Sequence, residues 1–354
     1  MAMQLKWKSR MYVGEMRVLV TGGAGYIGSH ACLRLLETGH EVAVLDNFRN
    51  SQMEPLRRVQ QLTGKSLALC EGDVRQPESF EAFLEAWHPE SIIHFAGLKS
   101  VSESVARPED YYATNVQGTL NVAEVARTVG VRSFIFSSSA TVYGAQQEVP
   151  VDEAAETSPV NPYGRSKLFA EQVLRDIHAV HPEMSVGVLR YFNPVGAHVS
   201  GKLGEDPTGT PANLMPYMAR VASGVYPHLN IYGDDYATSD GTGIRDYIHV
   251  VDLVDAHLAT LEALDVEPGV VTWNVGRGEG VSVAEMVSVF ERVTRLSIPV
   301  QVTDRRDGDV ATSFANVGKI TAATKWTAQR GVEEMVRDLW KWQSANPTGY
   351  TLES

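Results

Sequence analysis

The run Arg17-Val18-Leu19-Val20-Thr21-Gly22-Gly23-Ala24-Gly25-Tyr26-Ile27-Gly28 constrains this chain more than any other stretch. Strand-forming residues lead into a glycine loop, and an apolar pattern of helical period continues through Leu36. Gly22, Gly25 and Gly28 recur at every third position. Such a loop turns sharply and brings bare backbone N–H groups against a phosphate at a helix N-terminus. Its third glycine lets the helix lie close to the strand. Glycine triplets also occur in ordinary turns. The strand before this one and the helix after it are the context in which the loop binds a dinucleotide.

A second apolar strand, Glu41-Val42-Ala43-Val44-Leu45-Asp46, ends in an acid eighteen positions after Gly28. A spacing of ~20 suits the carboxylate that accepts the adenosine ribose hydroxyls. A carboxylate there repels a 2′-phosphate, which selects NAD over NADP. Arg49 argues the other way, since a nearby arginine accommodates a 2′-phosphate. The bland reading of Asp46 is a turn residue at a strand end.

Strand and helix patterns alternate through the first half. Leu67–Glu71, Ser91–Phe95, Ser133–Phe136 and Ser185–Arg190 read as strands. Pro77–Trp87, Glu109–Val129 and Asn161–Val180 read as helices. The alternation predicts an α/β fold, a Rossmann-type doubly wound parallel sheet with ligands at the C-terminal strand ends. Asp73, Ala96-Gly97, Ser137–Ser139 and Tyr191–Asn193 fall at those ends. At 354 residues the chain exceeds the ~250–300 at which single cores usually divide. After Asn193 glycine, proline and asparagine become frequent and the strands short, which predicts a smaller mixed α/β substrate lobe. The expected division is a leader over 1–15, a dinucleotide domain over 16–193 plus about 245–266, and the lobe over about 194–244 and 267–354. The helical pattern Asp252–Leu264 supplies the return to the first domain.

The formal charge of −12 argues against a general nucleic-acid binder. Cys32 and Cys70 lie in apolar contexts and read as buried free thiols of a reducing cytoplasm. No apolar run reaches the ~18 residues of a membrane span. The first sixteen residues lack the apolar block of a signal peptide, and Met16 reads as the structural start. His178 and His181 flank a helix end without clustered ligands, so no metal site is read.

Tyr163 and Lys167 stand four apart on a predicted helix and share a face. A tyrosine acting as a base near neutral pH must fall from a pKa of ~10, a shift of about three units or ~4 kcal/mol. A neighbouring ammonium and a cationic nicotinamide favour the phenolate. Lys167 also suits the nicotinamide ribose. By itself the pair is more often a surface packing contact. Ser137-Ser138-Ser139 at the end of the fifth strand changes that, because a hydroxyl there orients a reacting oxygen. Base, hydroxyl, cation and dinucleotide together make a hydride-transfer site. The competing reading of the serines is a plain turn.

These residues carry a resemblance. The chain resembles the extended short-chain dehydrogenase/reductases, and within them the UDP-glucose 4-epimerase family, from about Arg17 to Trp340. The segments Thr21–His30, His94–Lys99, Phe136–Gly144 and Asn161–Lys167 carry it broadly. Arg190–Pro194, Asn213–Tyr217, Gly241–Val250 and Arg305–Asp309 carry it more specifically. The resemblance implies an enzyme that interconverts UDP-glucose and UDP-galactose at C4 through a 4-keto intermediate, with NAD retained throughout. It implies an NAD site of Gly22, Gly25, Gly28, Tyr26, Ile27, Asp46, Asn47, Phe48, Arg49, Asn50, Ser51, Asp73, Val74, Phe95, Ala96, Gly97, Leu98, Lys99, Asn115, Lys167 and Phe192. Ser139 and Tyr163 would touch both cofactor and sugar. Asn193, Asn213, Leu214, Asn230, Ile231, Tyr232, Arg245 and Arg306–Asp309 would hold UDP, with Tyr232 packed on uracil. Arginines suit a diphosphate, although a surface ion pair with an aspartate is the alternative for Arg245 and Arg306. A homodimer joined through the helices Glu109–Val129 and Asn161–Val180 is the family expectation.

Glucose- and galactose-restricted members carry a tyrosine where this chain has Ser313. A small residue leaves room for a 2-acetamido group, so UDP-GlcNAc and UDP-GalNAc enter as candidate substrates, unless Phe314 refills the space. Two other readings compete. A 4,6-dehydratase needs a carboxylate just after the fifth strand, where Ser139-Ala140-Thr141 has none. A non-catalytic NAD-sensing binder tends to lose the tyrosine or the lysine, and both are present.

Overall fold

The computed structural model describes residues 15–145, 148–306 and 309–351. The leader expected over 1–15, apart from Glu15, lies outside the described residues, as do Asp307, Gly308 and the last three residues of the expected lobe.

The first half alternates as its periodicity predicts: β1 (Arg17–Thr21), α1 (Tyr26–Glu37), β2 (Glu41–Asp46), α2 (Glu54–Thr63), β3 (Ala68–Glu71), α3 (Glu81–Trp87) and β4 (Ser91–His94). There follow α4 (Val101–Ala106), α5 (Pro108–Tyr111), a π turn (Tyr112–Gln117), α6 (Gly118–Thr128), β5 (Ser133–Ser139), α7 (Pro162–Val180) and β6 (Ser185–Tyr191). These strands are apolar without alternation because helices cover both faces of the sheet. On one face Val18, Val20, Ile135 and Leu189 pack with Leu33, Leu36 and residues near Leu253. On the other, Leu19, Ile92, Phe134 and Phe136 pack with Val122, Ala170 and Leu174.

The later elements are β7 (Asn193–Val195), α8 (Leu214–Ala222), β8 (Leu229–Tyr232), β9 (Ile244–Arg245), β10 (Tyr247–His249) and α9 (Val250–Val266). Then come β11 (Val270–Val275), β12 (Val281–Ser282), α10 (Val283–Thr294), β13 (Val300–Thr303), β14 (Thr312–Ser313), α11 (Gly318–Thr324) and α12 (Val332–Ala345). The main sheet is parallel with order β11-β6-β5-β4-β1-β2-β3. Its order reverses between β1 and β4, which opens a crevice beyond their C-terminal ends. α9 packs on α1, β5 and β6, the expected return to the first domain.

Two features differ from the sequence expectation. Val270–Val275 falls in the span expected to belong to the lobe, yet β11 extends the main sheet beside β6. An apolar strand pattern does not say which sheet edge it will join. The long helix expected over Glu109–Val129 is interrupted by its π turn. The wider turn aims Asn115 inward, where its side chain accepts from Leu98 N at 2.8 Å and donates to Leu98 O at 3.0 Å.

The lobe has its own core, where Met215 and Met218 of α8 meet Met286 and Phe290 of α10 and Met335 and Leu339 of α12. Its sheets are small: β8 pairs with β13, β7 with β10, and β9 lies between β12 and β14. Arg58 on α2 fixes the lobe's C-terminal segment to the first domain. Its guanidinium lies 5.0 Å from the Tyr350 ring centroid and donates to Asn346 Oδ1 at 2.8 Å.

Candidate active site

The glycine loop occupies the crevice between β1 and β4. A Cβ on Gly28 would stand 2.2 Å from Gly22 O, and one on Gly22 would stand 2.7 Å from Ala96 N. Gly22 also has φ +68°, a conformation that side chains disfavour. Gly25 caps α1 without any side-chain bond, which leaves the positive end of the helix facing the crevice. A backbone cradle that any side chain would fill is what a pyrophosphate requires.

Asp46 ends β2 at the edge of this cradle and is buried. Its carboxylate accepts from Ala24 N (3.0 Å), Phe48 N (3.0 Å) and Ser51 Oγ (2.8 Å). These bonds fix the loop Asn47–Ser51 around the acid. Arg49, the residue that argued for a 2′-phosphate, pairs instead with Asp110 at 3.8 Å. Asp73 accepts from Asn47 Nδ2 at 3.0 Å, and the fork of Arg75 holds its carboxyl well below the usual range. Val74 is buried behind it. The loop Phe95–Lys99 crosses the opposite wall, held by Asn115, while Ile27 and Phe95 pack against the core and Phe192 is buried at the end of β6. Asn50 is exposed on the rim.

α7 begins where the sequence places it. Asn161 Oδ1 accepts from Gly164 N at 2.9 Å, and Pro162 follows at the first helical position. Tyr163 and Lys167 share one face, as their spacing predicts. The Tyr163 phenol lies beside the Ser139 hydroxyl, which pairs with Thr141 Oγ1 at 2.9 Å, and the Tyr163 ring meets that of Tyr111 edge-on with centroids 6.4 Å apart. Burial pushes the phenol up, while the Ser139 hydroxyl and the Lys99 ammonium pull it down. Lys167 Nζ donates to Ser137 O at 2.8 Å and lies 4.9 Å from the Phe136 ring centroid. Burial pushes this amine down to about 8, against the opposing charge of Glu171. Lys99 thus adds a second cation near the phenol, one that the spacing alone did not suggest. Lys99 is exposed, and its ammonium pairs at 2.7 Å with the buried Glu205, which pushes its pKa up.

The residues expected to hold UDP come together less tightly. On β8, Asn230 and Tyr232 share one face and Ile231 turns into the core. The Arg306 guanidinium lies 3.7 Å from the Tyr232 ring centroid, on a face where uracil stacking was expected, and pulls the phenol's pKa down. Arg245 pairs with Asp309 at 3.2 Å and donates to Val310 O at 2.9 Å. The ion pair weighed as the plain alternative for Arg245 is thus present. Asp309 N also donates to Arg306 O at 3.1 Å. Ser313 is paired in register with Arg245 across β14 and β9. Phe314 lies away from it, with its ring against Gly280. Asn193 and Asn213 are exposed at the start of β7 and the N-terminus of α8, beside Leu214. Sequence reasoning missed Glu171 and Glu205. Both act through partners far away in the chain, and no local motif signals them.

With this geometry in place, the comparisons are decisive. The chain belongs to the NAD dependent epimerase/dehydratase family, whose sequence model matches residues 18–276. Within that family its relatives are UDP-glucose 4-epimerases. It is 50% identical to the one from Bacillus subtilis (strain 168) over 335 residues, 95% of this chain and 99% of the relative. Among solved structures, the UDP-glucose 4-epimerase of Stenotrophomonas maltophila, with bound NAD and formylated UDP-arabinopyranose, superposes with a TM-score of 0.92 at 44% identity, covering 94% of this chain and 99% of that one. The Bifidobacterium longum enzyme, in complex with NAD+ and UDP, gives 0.91 at 46% identity, covering 94% and 100%.

Proposed function

We propose a residue-level account of how this chain interconverts UDP-glucose and UDP-galactose at C4 with NAD. The observation that carries it is the convergence of Ser139 and Tyr163, buried Lys167 and a side-chain-free glycine cradle at one end of the sheet. NAD, when bound, would supply the reversible hydride acceptor for C4. Gly22, Gly25 and Gly28 would hold its pyrophosphate, Asp46 its adenosine ribose, and Lys167 its nicotinamide ribose. Tyr163 removes the proton from the 4-hydroxyl, guided by Ser139, and gives it back after the 4-keto sugar has turned over. Holding the phenol near neutral pH needs positive charge close by, and Lys99 and Lys167 supply the protein's share. Arg245, Arg306 and Asn230 grip UDP while the hexose stays free to rotate. The segment Ser139-Ala140-Thr141 carries no carboxylate, which favours epimerisation over 4,6-elimination. The test is isotopic: deuterium placed at C4 stays in the product. Washout into solvent overturns the scheme.

The same reading extends to N-acetylated substrates. Ser313 is small and stands next to Arg245, and Phe314 is turned to Gly280, so a 2-acetamido group has room. Turnover of UDP-GlcNAc in the parent and its loss in Ser313→Tyr supports this. A parent that rejects UDP-GlcNAc disproves it.

The proposed assembly is a homodimer through α7 and the helices before it. Phe169, 49% exposed, stacks on Tyr112 with centroids 6.0 Å apart, and Val101 and Val105 of α4, a helix packed against α7, are also exposed. A two-chain mass by light scattering, reduced to one chain by Phe169→Glu, is the expected result. The buried free thiols Cys32 and Cys70 fit a reducing cytoplasm, and among the described residues no helix is long and apolar enough to cross a membrane. Fractionation of cells tests the location.

A further inference from the structure

Tyr163, Lys167 and Glu171 stand four apart on α7, so their side chains rise from one face. Each meets one serine at the end of β5. Tyr163 lies beside Ser139, Lys167 Nζ donates to Ser137 O at 2.8 Å, and Ser138 Oγ donates to Glu171 Oε1 at 2.5 Å. Strand alternation explains the last contact: Ser138 continues the face of Phe134 and Phe136, which α7 covers. Glu171 is wholly buried. It accepts the fork of Arg190, from β6, at 3.0 and 2.8 Å, and Arg175 reaches it at 3.1 Å. Arg190 in turn donates to the Tyr143 hydroxyl at 3.1 Å. Apolar residues of matching shape usually hold two elements together at least as well as a buried ion pair. Helix packing alone therefore does not account for this one.

We propose that Glu171 is a positioning residue for Lys167. Tied to β5 through Ser138 and to β6 through Arg190, it fixes the height and rotation of α7 so that Lys167 reaches Ser137 O, and its charge offsets the burial of the ammonium. The proposal rests on the reading of Lys167 as the site's buried cation. The groups facing Lys167 are Tyr163 and Glu171 on α7, His94 on β4, Phe136 and Ser137 on β5, Tyr191 on β6 behind Ser137, and Asn115 from the π turn. Burial pushes His94 down to about 3 and the Tyr191 phenol up, so neither carries charge near pH 7. Among the described residues, Glu171 is the carboxylate facing the lysine.

The test follows the lysine itself in the holoenzyme, with 13C-labelled lysine side chains and NMR titration, alongside kcat against pH. Lys167→Met assigns the resonance and abolishes kcat if the site is read correctly. In Glu171→Gln the Lys167 midpoint falls by about half a unit or more, and the alkaline limb of kcat moves with it. Arg175→Met removes a cation from beside Glu171 at a side chain 30% exposed, leaves the Arg190 pair in place, and moves the midpoint upward. A purely structural role lowers Tm in both variants and moves neither midpoint. Should Glu171→Gln fail to fold, Arg175→Met alone decides. Midpoints within about 0.2 unit of the parent, in every variant that folds, overturn the proposal for Glu171. A Lys167→Met enzyme that still turns over overturns the reading of the site instead.

Discussion

The tyrosine–lysine end and the arginine end of the site are held by opposite means. At the first end, Lys167 and Glu171 are buried, and each is bonded to a strand of the main sheet. At the second end, Arg245 sits on a two-residue strand, Tyr232 ends the four-residue β8 and Arg306 lies in an irregular segment, and they pair with one another or with Asp309. The contrast suits the work proposed for each end. Proton transfer needs a fixed geometry and a tuned dielectric, which rigid elements provide. Binding a diphosphate needs permanent charge that can leave one partner for another. Arg245 and Arg306 both have partners to exchange, the Asp309 carboxylate and the Tyr232 ring.

The most damaging change at the rigid end is Gly28→Ala. Its Cβ would meet a backbone oxygen at 2.2 Å, so the loop must move. The purified protein should lose its NAD and several degrees of Tm, read by absorbance and calorimetry. If NAD stays bound at parental levels, the cradle is not the pyrophosphate site. Next, Tyr163→Phe should lower kcat by ~10²–10⁴-fold with NAD and Tm retained. A fall in Tm with unchanged turnover would make the tyrosine structural. At the other end, Arg306→Leu should act on KM more than on kcat, by ~10–100-fold, the worth of a charge-assisted bond of about 1.5–3 kcal/mol. An effect confined to kcat would erase the distinction between the ends.

The smallest effect is a pH dependence. Lys167 falls to about 8 in the folded protein, below its unfolded value of ~10.4. The unfolded chain then binds more protons between those values, so the contribution of Lys167 to stability rises with pH through that window. Below it, the buried ammonium costs stability. Lys167→Met should flatten the slope of Tm against pH there. If the parent and the variant run parallel, the lysine is not desolvated.

The two ends also differed in how well the sequence disclosed them. The glycine loop, Asp46 at the end of β2, and Tyr163 with Lys167 on one turn of α7 were all legible, because loop, strand and helix periodicity are local and each motif spans a few residues. The partners of the arginines were less so. That Arg306 covers Tyr232 depends on a contact between segments about seventy residues apart, and uracil was expected on that ring.

What the sequence determined by itself was the alternation that makes a parallel sheet, the backbone cradle at its switch point and the residues proposed to move a proton there. Tertiary structure alone decided that Val270–Val275 would close the sheet beside β6, that Lys99 would stand between Tyr163 and Glu205, and that Glu171 would lock onto Ser138 and Arg190. The physical reason is range. Periodicity and turn chemistry act within a few residues, whereas the field at a buried lysine is set by whichever charges the packed chain brings beside it.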